Sequence, residues 1–509
     1  MIRKPNSVSE WLVAAVIVLV MAAATITRLW NLPGTLEFLG DQGRDARRVA
    51  AIFQDFNLAF IGPVTSVGNM YLGPLYYYFM TPFLILSYPS PLGPAYGVAI
   101  LGILTIALTI KLGQTLVGQR ASLIAAGLLT FSATAITYSR FSWNPNPAPL
   151  FGLLMVYGTY MAWKKDHRYW LLVALSFAVL IQLHYLTLIS AAGAGIIWLL
   201  HWWDIKKKQV KTTPKQLITI SLLSFVLVMS SMTPLMLFDF KHNWLNVNAF
   251  YGLVFKETNF RDDQSPWHES LSRSLKETHG RSLHLLTEYS FGQERRRNEI
   301  MVILVIATLG LILIKDRQDR RWPATVVLSA FLVTGILGVA FYRGSLFDHY
   351  ISYLYPITFL IWGVVMDRWL RWHWIFWLPV AFILFIFAAY NLPRIEFEDR
   401  GWGIDDMQRV AQSVSEQLDE DEHFTIVLLS GTGDLHGENY RYFLETLGYR
   451  PLGFEKIDQV ETLVIINEDQ PDFDPNQTKI HEIMVFPSKT IDQEYTIEDG
   501  PSITILRNQ

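Results

Sequence analysis

The sequence predicts an α-helical polytopic membrane protein with a small α/β domain at its C-terminal end, and three observations predict it. The chain of 509 residues is 51% hydrophobic but only 17% charged, where soluble domains carry about 25% charged residues. Apolar runs long enough to cross a bilayer recur along the first three quarters, separated by short basic segments. After Leu392 the pattern changes to short alternating and amphipathic stretches. The net charge of −3 says little as a sum, and the absence of cysteine excludes disulfides, thiolate metal sites and a cysteine nucleophile.

The elements follow in chain order. The run "WLVAAVIVLVMAAATI" follows Arg3 and Lys4, and Thr27-Arg28-Leu29-Trp30 makes a poor cleavage site, so it is expected to be a retained signal anchor. Basic segments at 111–120, 163–168, 204–215, 315–321 and 367–372 are placed in the cytoplasm by the positive-inside rule. They delimit spans near 11–30, 94–117, 121–139, 148–163, 169–185, 186–203, 216–234, 299–314, 323–342, 350–366 and 374–392, about eleven in all. The N-terminus is then cytoplasmic and the C-terminal domain extracytoplasmic, in a multi-pass protein of the cell (plasma) membrane. One apolar run, 73–89, is short, carries Pro82 and is bracketed by Gly73-Pro74 and "PSPLGP". A crossing there would turn every basic loop outward, so it is expected to be a juxtamembrane or re-entrant helix; an ordinary short span is its rival.

The predicted organisation is a transmembrane domain over 1–392, with outer loops at 31–93 and 235–298, and an extracytoplasmic α/β domain over 393–509. In that domain 405–418 and 439–448 read as helices, and 424–431, 461–468 and 502–508 as strands. Repeats, low-complexity tracts, Walker motifs and dinucleotide fingerprints are absent from the sequence.

The densest charge cluster is "EFLGDQGRDARRVA" at 37–50, directly after the first span. If 41–53 is a helix, Asp41 and Asp45 share one face, with Arg44 and Arg48 on a neighbouring one. Three readings compete. The plain one is a solvated interfacial helix. The second is a divalent-cation site with carboxylate ligands. In the third, a carboxylate takes a proton from an acceptor hydroxyl while an arginine fork neutralises a phosphate leaving group. A phosphate at this depth belongs to a lipid.

An acidic motif after the first span, a Pro-Leu-aromatic stretch some thirty residues on and a soluble outer tail resemble the GT-C class of lipid-carrier-dependent glycosyltransferases. Within that class the chain resembles the protein O-mannosyltransferase and aminoarabinose transferase families. "DQGRDA" at 41–46 resembles their Asp-Glu-x-x-Tyr-Ala motif, and "LGPLYYYF" at 72–79 their (K/H)PPLxYW. The resemblance implies that Asp41 is the catalytic residue and Arg44 a lipid-phosphate contact, with Asp45 and Tyr76 among the substrate-binding residues. There are departures. Leu72 stands for the Lys or His, "GPAYGVAIL" lacks an arginine often found there, and "SRFSWNPNP" offers Arg140, Asn144 and Asn146 in place of a second carboxylate. Asparagine binds hydroxyls but is no base.

Further substrate-binding candidates each have a plainer reading. His184 stands at a hairpin turn, where a satisfied interfacial histidine is the commoner case. Lys241 and His242 lie in "FDFKHNW", which also reads as a snorkelling belt. The stretch "NFRDDQSPWHESLSRS" (259–274) is expected to form an interfacial helix over the site. His349 and Tyr350, in "FDHYISYLYP", resemble a family stretch but equally suit a capped helix start. The expected function is a membrane glycosyltransferase of the cell envelope. It moves a sugar, with inversion, from a polyprenyl-phosphate donor to a lipid, glycan or protein acceptor on the outer face, with Asp41 as general base. A divalent cation is a candidate cofactor, membrane lipid is a partner, and no nucleic acid is expected. The alternative is a transporter or flippase of a lipid-linked saccharide; the lack of inverted-repeat symmetry and of buried polar residues in mid-span argues against it.

Overall fold

The computed structural model describes residues 7–65, 70–255, 276–342, 346–419, 421–470, 473–488 and 490–508. The expected interfacial helix at 259–274 falls outside them. Each predicted span has a helix at its position. Among the described residues eight helices are long and apolar enough to cross a membrane, beginning with α1 (Val8–Leu29), whose first turn Ser7 caps by accepting from the Glu10 N–H at 3.2 Å. The other three predicted spans form shorter helices: Gln119–Phe131, Ala148–Lys164 and Trp170–Leu183. The first of these stops at Ser132 and resumes as Ala133–Thr137; the Asn391 side chain accepts from the freed Ala133 N–H at 2.8 Å.

Between α1 and the second long helix lie two more elements. Helix α2 (Gly40–Gln54) carries the charge cluster, and α3 (Leu75–Ser87) carries the aromatic run with Pro82 inside it. Thirteen residues reach only about 20 Å, short of a hydrocarbon core of about 30 Å. Helix α3 packs between α2 and α4 (Leu92–Leu116).

The centre of the bundle is helix Tyr355–Trp372, buried along nearly its whole length against α5 (Gln119–Phe131). Gly363 allows this contact, because a Cβ there would fall onto the Ala121 carbonyl. The Trp362 indole N–H donates to the Leu286 carbonyl at 2.9 Å. Residues from the predicted basic segments pair with acids at one end of the helices. Asp367, 3% exposed, holds Arg321 at 3.1 Å and Arg371 at 3.0 Å, while Lys164 pairs with Asp204 at 3.0 Å.

The tail contains a four-stranded sheet of order β1-β2-β4-β3, from β1 (Phe424–Leu429), β2 (Thr462–Asn467), β3 (Ile491–Thr496) and β4 (Ser502–Arg507). The β1–β2 pair is parallel and the other two pairs are antiparallel. Helices Ile404–Ser415 and Glu438–Thr446 pack together over one face; Ile483 and Phe486 join Val427 and Leu429 in a separate core. Strand β3, "IDQEYT", escapes a hydrophobicity reading because it is an edge strand with mostly exposed side chains.

Candidate active site

Helix α2 begins one residue before Asp41. The Gln42 side chain accepts from the Leu39 N–H at 2.9 Å and closes the first turn. Asp41 thus sits where unpaired amides and the helix dipole favour a carboxylate. Its side chain is 46% exposed, while that of Asp45, one turn on, is 4% exposed. Arg44 turns onto the aspartate face and bridges the two: Nη1 lies 2.7 Å from Asp41 Oδ1, and Nη2 and Nε lie 2.8 and 3.1 Å from Asp45 Oδ1. The neighbouring arginines diverge. Arg48 donates to the Leu58 carbonyl at 3.1 Å, and Arg47 reaches into the tail.

The two aspartates therefore differ in kind. Asp41 has one oxygen on Arg44, and the other accepts the Trp143 indole N–H at 3.1 Å. Asp45 also accepts from the Tyr77 hydroxyl at 3.3 Å, but its Oδ2 is buried with no partner. Burial pushes the Asp45 carboxyl up to about 6, against the pull of Arg44 and with the repulsion of Asp41. Burial alone would weaken the Arg44 cation, yet Asp45 and Asp41 beside it raise its pKa. One guanidinium is thereby held charged between an open and a closed carboxylate.

A cavity of about 580 Å³ opens in front of this group, lined by Glu37, Asp41, Arg44 and Trp143 on one side and by Asp434 and Glu438 of the tail on the other. The rings of His349 and Trp143 are 4.3 Å apart; His349 leads to Tyr350 at 4.5 Å and Tyr350 to His184 at 4.3 Å. His184, His349 and Tyr350, far apart in sequence from Asp41, are thus joined to it through Trp143. His184 also caps its turn, with Nδ1 accepting from the Leu186 N–H at 3.2 Å.

The remaining candidates occupy varied places. Tyr76 bonds Ser142 Oγ at 2.5 Å and lines a narrow crevice that Asp45 also borders. Arg140 is buried and donates to the carbonyls of Thr27 at 3.0 Å and Trp30 at 2.8 Å and to the Thr35 hydroxyl. Asn144 donates to the Leu183 carbonyl at 2.6 Å. Lys241 and His242 are exposed; His242 stacks on Phe238 at 4.0 Å, and neither bonds the aspartate cluster. Sequence reasoning passed over Trp143 and Tyr77, although both stood in quoted motifs, and the wall supplied by the tail had no sequence signal. Among the described residues no group of three or more His, Asp or Glu is placed to hold a metal ion.

A helical membrane bundle whose first loop brings an acidic helix and an aromatic helix to one end, beneath a small α/β tail, is the fold of the GT-C glycosyltransferases, and the chain is a multi-pass membrane protein with that fold. Residues 72–231 match the family model of dolichyl-phosphate-mannose-protein mannosyltransferases. Among solved structures the chain is similar to ArnT from Cupriavidus metallidurans bound to undecaprenyl phosphate, at 11% identity and a TM-score of 0.60 over 98% of each chain. It is also similar to the oligosaccharyltransferase of Archaeoglobus fulgidus in complex with Zn and sulfate, at 14% identity and a TM-score of 0.51 over 89% of this chain and 68% of that one. The archaeal oligosaccharyltransferase AglB from Archaeoglobus fulgidus, in complex with an inhibitory peptide and a dolichol-phosphate, gives 13% identity and a TM-score of 0.50 over 90% of this chain and 70% of that one. No curated protein matches the chain in sequence.

Proposed function

We propose that the protein is a membrane glycosyltransferase that moves a sugar from a polyprenyl-phosphate donor to a hydroxyl acceptor on the outer face of the cytoplasmic membrane, with inversion. The observation that carries this reading is the asymmetry of the two aspartates. Asp41 faces an open cavity with its carboxylate oriented by Arg44 and Trp143, as a base must be. Asp45 is closed off and serves Arg44 instead.

In the reaction the acceptor oxygen loses its proton to Asp41 and forms a bond to the anomeric carbon. The bond from that carbon to the phosphate oxygen breaks on the opposite face, and its electron pair leaves with the phosphate. Arg44 is the cation nearest to the base and its planar fork suits phosphate oxygens. As negative charge gathers on the leaving phosphate, the guanidinium exchanges a carboxylate oxygen for a phosphate oxygen, a stabilisation concentrated in the transition state. The membrane placement supports a lipid donor, and relatives by fold were solved with undecaprenyl phosphate and with a dolichol-phosphate. The outer-face assignment rests on the positive-inside rule; the gathering of basic segments into ion pairs at one end supports it.

The divalent-cation form of this reading meets Arg44 in the space between the two carboxylates, so the charge-neutralising role is given to the arginine. No observation favours transport over transfer.

The test is transfer from a radiolabelled pool of polyprenyl-phosphate sugars into membranes containing wild type or Asp41→Asn at equal expression. The expected loss is on the order of 10²- to 10⁴-fold, the usual contribution of a general base, with donor binding retained. Transfer by Asp41→Asn at the wild-type rate would sink the assignment.

A further inference from the structure

Helix α2 contains two glycines one turn apart, Gly40 at its first position and Gly43, and an interior glycine such as Gly43 costs a helix about 1 kcal/mol relative to alanine. The tail explains both. A Cβ on Gly43 would lie 2.5 Å from the Glu438 carbonyl oxygen, and one on Gly40 would lie 2.6 Å from Asp434 Cγ. The start of helix Glu438–Thr446 is therefore pressed backbone to backbone onto α2. Arg47, one turn beyond Gly43 and Arg44, forks between two carboxylates on a single stripe of that helix, Glu438 and, at 2.6 Å, Glu445. Apolar contacts flank the fork: the Phe38 ring meets Tyr442 and Phe443 edge-on, each at 5.7 Å, and the Tyr442 hydroxyl donates to the Pro89 carbonyl at 2.7 Å.

This docking fixes what stands opposite Asp41. The loop before the tail helix is folded on Asp434, whose carboxylate accepts from the N–H groups of His436 and Glu438, both at 3.1 Å. Thr432, Asp434, His436 and Glu438 then line the cavity that Asp41 faces. We infer that Arg47 is a positioning residue for the reaction: it locks the tail helix onto α2 so that Thr432–Glu438 forms the second wall of the catalytic cavity. The tail is thus part of the active site rather than a separate module, and the glycines of "GDQGRD" are there for its approach. This rests on the functional reading above only in what the cavity is used for.

The chain has no cysteine, so single introduced thiols report cleanly to a maleimide in membranes. Tyr442→Cys, at a position 1% exposed against Phe38 and Pro89, reports docking; Val464→Cys, in the fully buried core of β2, reports folding of the tail. The two probes are combined in turn with Arg47→Gln, Arg47→Lys and Gly43→Ala, and sugar transfer is measured from the same polyprenyl-phosphate pool. The docking probe is expected to stay protected in the otherwise native chain and with Arg47→Lys, and to label with Arg47→Gln and Gly43→Ala; the folding probe stays unlabelled throughout. Transfer should fall on the order of 10²-fold with Gln and Ala, the cost of a wall misplaced by about 1 Å, and recover largely with Lys. Protection of the docking probe in Arg47→Gln, or its labelling alongside full transfer, overturns the inference. A wild type that moves no sugar from any donor in the pool overturns the functional reading instead, and the labelling pattern then decides the latch by itself.

Discussion

Replacing Asp45 with asparagine isolates one carboxylate whose charge is costly where it stands. The side chain is 4% exposed, one oxygen takes all three of its hydrogen bonds, and the other has no partner. Burial holds the folded carboxyl at about 6, against the ordinary 3.8 expected when the chain unfolds. The folded state therefore keeps its proton at a pH where the unfolded state has released it. The stabilising contribution is fully present below about pH 4 and is lost as pH rises through about 6, and above that no further change comes from this group.

The span between the two values corresponds to about 3 kcal/mol as an upper bound. For a chain of this size that is roughly 3 °C in unfolding temperature. The assay is thermal unfolding of detergent-solubilised wild type and Asp45→Asn at steps from pH 4 to pH 7.5, read as the difference between the two curves. The asparagine keeps an oxygen for Arg44 and Tyr77 but has no proton to lose. Wild type should thus be the relatively more stable of the pair at pH 4, and the advantage should shrink by roughly 3 °C by pH 7. A difference that is flat with pH would refute the buried, proton-holding state of Asp45; one that grows with pH would mean that Arg44 outweighs burial.

Three further outcomes are expected. Trp143→Phe keeps an aromatic ring beside His349 but removes the indole donor to Asp41 Oδ2; transfer should fall by roughly tenfold, the worth of one hydrogen bond to a charged group, with expression unchanged. Gly363→Ala places a methyl on the Ala121 carbonyl at the centre of the bundle, and a loss of about 1–3 kcal/mol should appear as a lower unfolding temperature in a detergent-stability screen. Lys241→Ala alters a side chain that is exposed and bonds none of the aspartate cluster; transfer should stay within about twofold of wild type, surface changes being usually near-neutral. A larger loss there would place the 238–244 stretch in the substrate path.

The sequence was legible where one physical rule dominates. Hydropathy and basic loops placed a helix at each predicted span, eight of them long and apolar enough to cross a membrane among the described residues, because the hydrocarbon core permits few alternatives to an apolar helix. With a helix over 41–53 as the condition, the coincidence of Asp41 and Asp45 on one face followed from helical spacing, and the helix forms over Gly40–Gln54. Legibility failed where the partner comes from elsewhere in the chain. Arg44 and Arg48 share a neighbouring face by spacing, yet they part, because Asp41 and Asp45 draw one and the Leu58 carbonyl the other. Trp143 sat unremarked between Arg140 and Asn144, since an indole in a loop between apolar helices looks like an interfacial anchor until a carboxylate is placed 3.1 Å from its nitrogen. Strand β3 is polar because the sheet ends there.

The charge cluster after the first span is best understood as three devices in consecutive turns of a single helix. Asp41 opens onto the cavity, Arg44 is divided between that open carboxylate and a closed one, and Arg47 is committed to the tail. Helical periodicity forces the three onto one rigid rod, so a shift of the tail on Arg47 is passed to Asp41 through two turns of backbone rather than through flexible side chains. A module tethered only by its linker would leave the cavity with one wall. Placing the proposed base, cation and latch within seven residues instead ties the second wall to the helix that carries the first.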